Sequence, residues 1–248
     1  MIRCAGRGIL LDIEGTTSSV SFVYDVMFPY VRRELDNYLS AHHGSPELDR
    51  IASLLASEAG FASFDAWRAS LSAAGSQADP GQIVRDEVLR LMDQDVKSTG
   101  LKQLQGLIWE AGFTSGELQA HVYDDVPPAL RAWNAAGRDV RIYSSGSVQA
   151  QRLFFGHTIA GDLLPLLKGH YDTTTGPKKE PASYGAIAAE YALPADQILF
   201  LSDIVAELDA ARTAGMQTAL VVRPGNVAPP ITGQEPHDQI LSFADVEV

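Results

Sequence analysis

Two carboxylates spaced two residues apart, where a short apolar run gives way to a turn, are the first groups in this chain that could do chemistry. Asp12 and Glu14 follow Gly8-Ile9-Leu10-Leu11 and precede Gly15. Alternation along an extended segment sends residues 12 and 14 to the same side, so both carboxylates enter one small volume. Such a pair either binds a hard cation or shares a proton. Complementary groups stand further along. Ser144 and Ser145, in Tyr143-Ser144-Ser145-Gly146-Ser147, offer an anion their hydroxyls and the N–H groups of a helix start. Lys178, in Gly176-Pro177-Lys178-Lys179, precedes a helical pattern, where a cation opposes the helix dipole and calls for an anionic partner such as Asp12. Lys179 reads as its solvated neighbour. Asp203 follows Ile198-Leu199-Phe200-Leu201-Ser202, with Glu207 four residues on.

The residue types define the expected reaction. Asp12, Glu14 and Asp203 suit Mg²⁺, which favours oxygen ligands and keeps waters or a substrate phosphate in its shell. With phosphoryl oxygens neutralised by the metal and Lys178 and hydrogen-bonded by the Ser144-Ser145 turn, Asp12 is placed to attack phosphorus. Glu14 is then placed to protonate the leaving oxygen and to activate the hydrolytic water.

These groups need a scaffold that brings residues 12, 144, 178 and 203 together. Short apolar runs at 8–12, 140–143, 198–201 and 218–222 alternate with helical patterns at 127–136, 147–155, 184–191 and 205–214. That alternation predicts an α/β fold, a doubly wound and mainly parallel sheet with its chemistry at the C-terminal strand ends. From Ser18 to Val122 the pattern is helical instead. Met27, Val31, Leu35 and Leu39 share one face, as do Ile51, Leu54, Leu55 and Ala59; a third helix spans 63–73, and a Ser/Gly-rich loop follows it. Asp79-Pro80 reads as the start of a fourth helix, and Ser98-Thr99 of a fifth that carries Leu101, Leu104, Ile108 and Trp109. The expected organisation is a catalytic core of residues 1–17 plus 123–248, with an all-helical domain, 18–122, inserted after the first core strand.

Composition narrows the partners. The chain has 248 residues and a formal net charge of -12, which repels nucleic-acid phosphate and anionic membrane alike. Cys4 is the single cysteine and cannot form an intramolecular disulfide, and no Cys/His spacing suggests zinc. No apolar stretch approaches the ~18 residues of a membrane span. The expectation is a cytoplasmic monomer that acts on a small molecule and binds neither nucleic acid nor membrane.

Asp12, Ser144, Lys178 and Asp203 resemble, in that order, the four motifs of the haloacid dehalogenase (HAD) superfamily: Asp-x-Asp after a buried strand, a Ser or Thr, a Lys, and an acid or acid pair. Glu14 stands where the second Asp is usual. Asp12-Ile13-Glu14-Gly15-Thr16-Thr17 resembles the enolase-phosphatases of methionine salvage. So do Phe28-Pro29, the run from Leu101 to Trp109, Tyr143 to Val148 with Ala150-Gln151, and Arg223-Pro224-Gly225-Asn226. The resemblance implies a HAD-like Rossmannoid core, with the helical insertion as a cap that closes over the substrate.

It also implies a Mg²⁺-dependent bifunctional reaction, in which 2,3-diketo-5-methylthiopentyl 1-phosphate is enolised and then dephosphorylated to an acireductone. Asp12 and Glu14 would be catalytic, Ser144, Ser145 and Lys178 would bind phosphate, and Asp12, Glu14 and Asp203 would hold the metal. Glu14 is one candidate for the enolising base. Lys102, Gln103 and Trp109 are open between contacts with substrate and ordinary roles, a solvated face for the first two and the core for Trp109. A hydrolytic dehalogenase would share the Asp nucleophile without the metal trio. A phospho-receiver module would share Asp, hydroxyl and Lys, but not an Asp on the first strand.

Overall fold

The computed structural model describes residues 1–4, 6–73, 79–96, 98–226 and 237–248. The chain divides into two units, Met1–Val26 with Gly116–Val248, and Met27–Ser115. In the first, Ile9, Leu10 and Leu11 are wholly buried. They form strand β2 (Gly8–Leu11), flanked by β3 (Asp139–Tyr143) and β5 (Ile198–Ser202). Outward from β3 lies β4 (Gly169–Tyr171), and outward from β5 lie β6 (Gln217–Val221) and β7 (Asp238–Ile240). The order is β4-β3-β2-β5-β6-β7 with every pairing parallel. A separate two-residue pairing joins β1 (Ile2–Arg3) to β8 (Val246–Glu247).

This order fixes where the chemistry sits. The chain runs outward from β2 on one side and then returns to continue outward on the other, so β2 is where strand order reverses. Ligands of open α/β sheets bind beyond the carboxyl ends of strands at that point. Leu11 lies opposite both Ile142 and Leu201, so Asp12 emerges beside the ends of β3 and β5. The crossovers are α7 (Val126–Ala135), α8 (Val148–Gly156), α9 (Pro181–Tyr191) and α10 (Val205–Thr213). Tyr184, Ile187, Phe200 and Leu208 pack at the centre of this core, and the buried Tyr191 hydroxyl donates to the Ile9 carbonyl at 2.8 Å.

The helical unit is shorter than the 18–122 expected. Residues before Met27 and after Ser115 belong to the sheet-bearing unit for visible reasons. Phe22, in the short helix α1 (Val20–Phe22), meets the Phe154 ring edge-on at 5.9 Å, Tyr123 N–H donates to the Thr17 carbonyl, and Ala120 N–H to that of His157. A π-helical turn, Val23–Met27, follows α1.

The second unit comprises α2 (Phe28–Ala41), α3 (Pro46–Glu58), α4 (Phe64–Ala73), α5 (Pro80–Asp93) and α6 (Thr99–Ser115). The Ser/Gly-rich loop expected after Ala73 lies outside the described residues. Helix starts follow the expected capping chemistry. Ser45 accepts from Leu48 N–H, Asp79 from Gly81 N–H, and Ser98 from Leu101 N–H. Helix α6 is the centre of this unit: Leu104, Ile108 and Phe113 are buried, and Trp109 donates its indole N–H to the Met27 carbonyl at 3.0 Å. Trp109 is thus a core residue of the helical unit.

Candidate active site

The loop after β2 is wound tightly by its own backbone. The Ile13 carbonyl accepts from the N–H groups of Thr16, Thr17 and Ser18, and Gly15 N–H donates to the Ser18 carbonyl at 2.7 Å. Closing so small a ring requires a left-handed residue, and Gly15 supplies it with φ 74°. Thr17 Oγ1 donates back to the carbonyls of Asp12 and Ile13. Asp12 is held at the strand end with only 4% of its surface exposed. Glu14 lies half-buried in the same loop, bridged in parallel fashion to Ser18.

Lys178 reaches this loop from the segment before α9. Its Nζ donates to Asp12 Oδ1 at 2.6 Å and pairs with Glu207 Oε2 at 2.6 Å, its side chain being 9% exposed. Lys179 is exposed. Burial works against the Lys178 charge, but Asp12 and Glu207 together outweigh it and hold its pKa above the ordinary lysine value. The backbone around it is fixed by the aromatic core. Tyr184 OH donates to the Lys178 carbonyl, Tyr143 OH to that of Gly176, and Ser183 Oγ to that of Pro177.

At the end of β3, Ser144 is buried, its N–H donating to the Tyr171 carbonyl and its Oγ accepting from Gly146 N–H. Ser145 is half-buried in the same turn. Ser147 caps α8 by accepting from Ala150 N–H, and Gln151 ties the turn down through Nε2, donating to the carbonyls of Gly146 and Tyr171. Ser144 and Ser145 thus lie just beyond the strand adjoining that of Asp12, at the same end of the sheet.

Asp203 follows β5. Burial, with Asp12 and Glu207 nearby, pushes its pKa up to about 7. Its Oδ1 is buried with no hydrogen-bond partner among the described residues, while Oδ2 lies 3.5 Å from Asn226 Nδ2. Glu207 is raised as well, chiefly by burial and by Asp12. Three carboxylates thus share a poorly solvated volume with one identified ammonium, that of Lys178.

The arrangement bears on the expected metal. Among the described residues no group of three or more His, Cys, Asp or Glu is arranged to hold a metal ion, so Asp12, Glu14 and Asp203 do not form a ready-made cage. Mg²⁺ does not need one, since it is commonly bound through one or two carboxylates with water and phosphate completing its shell. An unpartnered, buried carboxylate oxygen on Asp203, on an aspartate already burdened by neighbouring negative charge, fits that mode with Asp12 as the second ligand.

Two contributors were less legible than the rest. Glu207 appears in the sequence only as an acid four residues beyond Asp203; it falls in the first turn of α10, which keeps it near the strand end, where its carboxylate meets Lys178. Asn226 carries no periodic signal at all. Lys102 and Gln103 lie on α6 in the helical unit, each partly exposed as a residue, and Gln103 Oε1 is buried without a partner among the described residues.

Residues 7–215 match the model of a haloacid dehalogenase-like hydrolase family. A protein of Pseudomonas aeruginosa named enolase-phosphatase E1 is 46% identical over 242 residues, 98% of each chain. A protein of the same name from Drosophila erecta is 45% identical, covering 89% of this chain and 84% of its own. Among solved structures, the UTR4 protein of Saccharomyces cerevisiae superposes with a TM-score of 0.77 at 33% identity, over 96% of this chain and 98% of its own.

Proposed function

The chain belongs to the haloacid dehalogenase-like hydrolases, and on that footing we propose that it is an enolase-phosphatase. It converts 2,3-diketo-5-methylthiopentyl 1-phosphate to the acireductone 1,2-dihydroxy-3-keto-5-methylthiopentene and releases phosphate. The observation that carries the phosphatase half is the buried contact of Lys178 Nζ with Asp12 Oδ1, at the point where strand order reverses. The enolase half is supported by the name and near full-length identity of the relatives, together with Glu14 in the place of an aspartate.

Each residue has a definite part. A carboxylate oxygen of Asp12 bonds to phosphorus while the ester P–O bond breaks, and Glu14 gives a proton to the departing oxygen. Water then attacks the aspartyl-phosphate, Glu14 takes its proton, and Asp12 is regenerated. Lys178, locked between Asp12 and Glu207, faces the phosphoryl oxygens with a fixed positive charge, and the Ser144-Ser145 turn donates to them. Asp12 and Asp203, with Glu14 close by in the same loop, would hold Mg²⁺, which when bound would neutralise phosphoryl charge and polarise a substrate carbonyl. For the enolisation that comes first, Glu14 is the candidate proton carrier, its extra methylene extending its reach beyond that of an aspartate. The helical unit has the role of a cap, and the enzyme works as a cytoplasmic monomer. No helix of the described residues is long and apolar enough to cross a membrane.

The test is a phosphate-release assay with the diketo phosphate, with and without Mg²⁺, while ultraviolet absorbance follows the enol. The expected result is Mg²⁺-dependent release preceded by an enol signal, with release lost in Asp12→Asn. Glu14→Gln is expected to abolish the enol signal, and an intact signal removes Glu14 as the enolising base. Phosphate release from simple esters, with no enol from the diketo phosphate, would reduce the protein to a general phosphatase of the family.

A further inference from the structure

Arg223-Pro224-Gly225-Asn226 is given no part in the reaction described above, yet the fold builds it with care. Asn226 N–H donates to the Arg223 carbonyl at 3.2 Å, Pro224 occupies the second position, and Gly225 takes φ 88°, closing a tight turn that needs those two residue types. The base of the turn is anchored. Arg223 is buried, its Nε donating to the Thr16 carbonyl at 3.0 Å and its Nη1 to both oxygens of Asp125 at 3.0 and 2.8 Å. Its guanidinium carbon lies 4.5 Å from the Tyr123 ring centroid and 4.8 Å from that of Phe243. The turn is thereby tied to the same loop that carries Asp12 and Glu14.

Its tip meets Asp203. Asn226 Nδ2 donates to the Gly15 carbonyl at 2.7 Å, and since a carbonyl only accepts, this bond fixes which way the amide faces. The same nitrogen stands 3.5 Å from Asp203 Oδ2. Gly15 crowds the same corner: a Cβ there would lie 2.1 Å from that oxygen and 2.9 Å from Asn226 Nδ2. Asp203 Oδ2 therefore faces the corner where the Gly15 backbone and the Asn226 amide meet, and Oδ1 is the oxygen buried without a partner among the described residues.

We propose that Asn226 is a positioning residue: it fixes the rotation of the Asp203 carboxylate so that Oδ1 is presented to the divalent cation shared with Asp12. This rests on the Mg²⁺-dependent reading above and goes beyond it by assigning the turn a task. Asn226 acts through Asp203 and has no bond to make or break in the reaction. Residues that orient a metal ligand in this way typically govern metal affinity by 10–100-fold.

The experiment is calorimetric titration of the intact protein with MgCl₂ alone, no substrate present, for wild type, Asn226→Ala and Asn226→Gln, with thermal melts of each in chelator. The expected result is Mg²⁺ affinity about 10–100-fold weaker in Asn226→Ala. Asn226→Gln, which keeps the donor, should recover part of it, and the chelator-treated melts should stay close to one another. In turnover assays, the Asn226→Ala defect should be relieved by raising MgCl₂, which a general loss of structure would not allow. Wild-type affinity in Asn226→Ala, or a defect that excess MgCl₂ leaves untouched, overturns the proposal while the phosphatase reading stands. Should Asn226→Ala not fold, Asn226→Ser is judged by the same outcomes. A wild-type protein that takes up no Mg²⁺ instead overturns the metal reading on which this proposal depends.

Discussion

Asp203→Asn should make the metal-free protein more stable, and increasingly so as pH rises. Asp203 is buried beside Asp12 and Glu207, and its pKa is raised from 3.8 to about 7. The folded state therefore holds this proton more tightly than the unfolded chain does. That preference favours folding most fully below pH 3.8 and is lost as pH rises through about 7. At pH 8 both states are largely ionised, and the folded one bears the cost of a buried carboxylate, on the order of 4 kcal/mol relative to a group that never ionises. At pH 5 the folded state keeps its proton while much of the unfolded chain has lost it, and the same comparison gives roughly 1.5 kcal/mol.

Asparagine has no charge to lose, so the stability of Asp203→Asn relative to wild type should rise by about 2–3 kcal/mol between pH 5 and pH 8. Any packing effect of the substitution is present at both pH values and cancels in the change of the gap. The assay is urea unfolding of both proteins, side by side, in chelator at the two pH values. A gap that is constant, or that narrows toward pH 8, would refute the electrostatic account of this site.

The ion pair at the centre of the site gives a second expectation. Lys178→Met leaves Asp12 and Glu207 without their buried ammonium, and urea unfolding at pH 8 should show a loss of about 3–5 kcal/mol that shrinks on acidification. Gly15→Ala would put a Cβ against Asp203 Oδ2 at a residue with φ 74°, so phosphate release should fall at least about tenfold, with a stability loss of roughly 1–3 kcal/mol. In the helical unit, Gly112→Ala would bring a Cβ to 2.6 Å from the Tyr30 ring, and hydrogen exchange across α2 and α6 should accelerate while that of β2 and β5 does not.

What the sequence revealed, and what it hid, follows from how each element earns its stability. The strands at β2 and β5 were legible because they are central and buried on both faces, which writes an unbroken apolar run into Ile9-Leu10-Leu11 and Ile198 to Leu201. At the sheet edges the signal fades: β4 is only Gly169-His170-Tyr171 and β7 only Asp238-Gln239-Ile240, too short and too polar to stand out. The site shows the same division. Asp12, Ser144, Lys178 and Asp203 were legible because each stands at or next to the end of a recognisable strand or helix. Glu207 shows in the sequence only as an acid near Asp203, and Asn226 only within the Arg223–Asn226 run, because what each holds, Lys178 and the Gly15–Asp203 contact, is visible only in three-dimensional proximity. The helical sequence pattern, 18–122, runs past both ends of the unit Met27–Ser115 for a related reason. Phe22 and Ala120 sit in helix-like or unpatterned sequence, yet their contacts are with the sheet-bearing unit.

The position of β2 has a consequence for how the chain is made. It is the central strand of the sheet, yet its neighbours β3 and β5 begin only at Asp139 and Ile198. On a ribosome adding about 5–20 residues per second, the segment Gly8–Leu11 waits many seconds before either partner strand exists. During that interval the helices of Met27–Ser115, whose contacts are closer in sequence, are free to form. An apolar strand is meanwhile left without a ladder, the condition under which pairing with a second nascent chain competes with folding. The strand that sets the geometry of the site is thus also an apolar segment exposed to aggregation throughout that interval, and chaperone dependence during synthesis should track the hydrophobicity of Ile9-Leu10-Leu11.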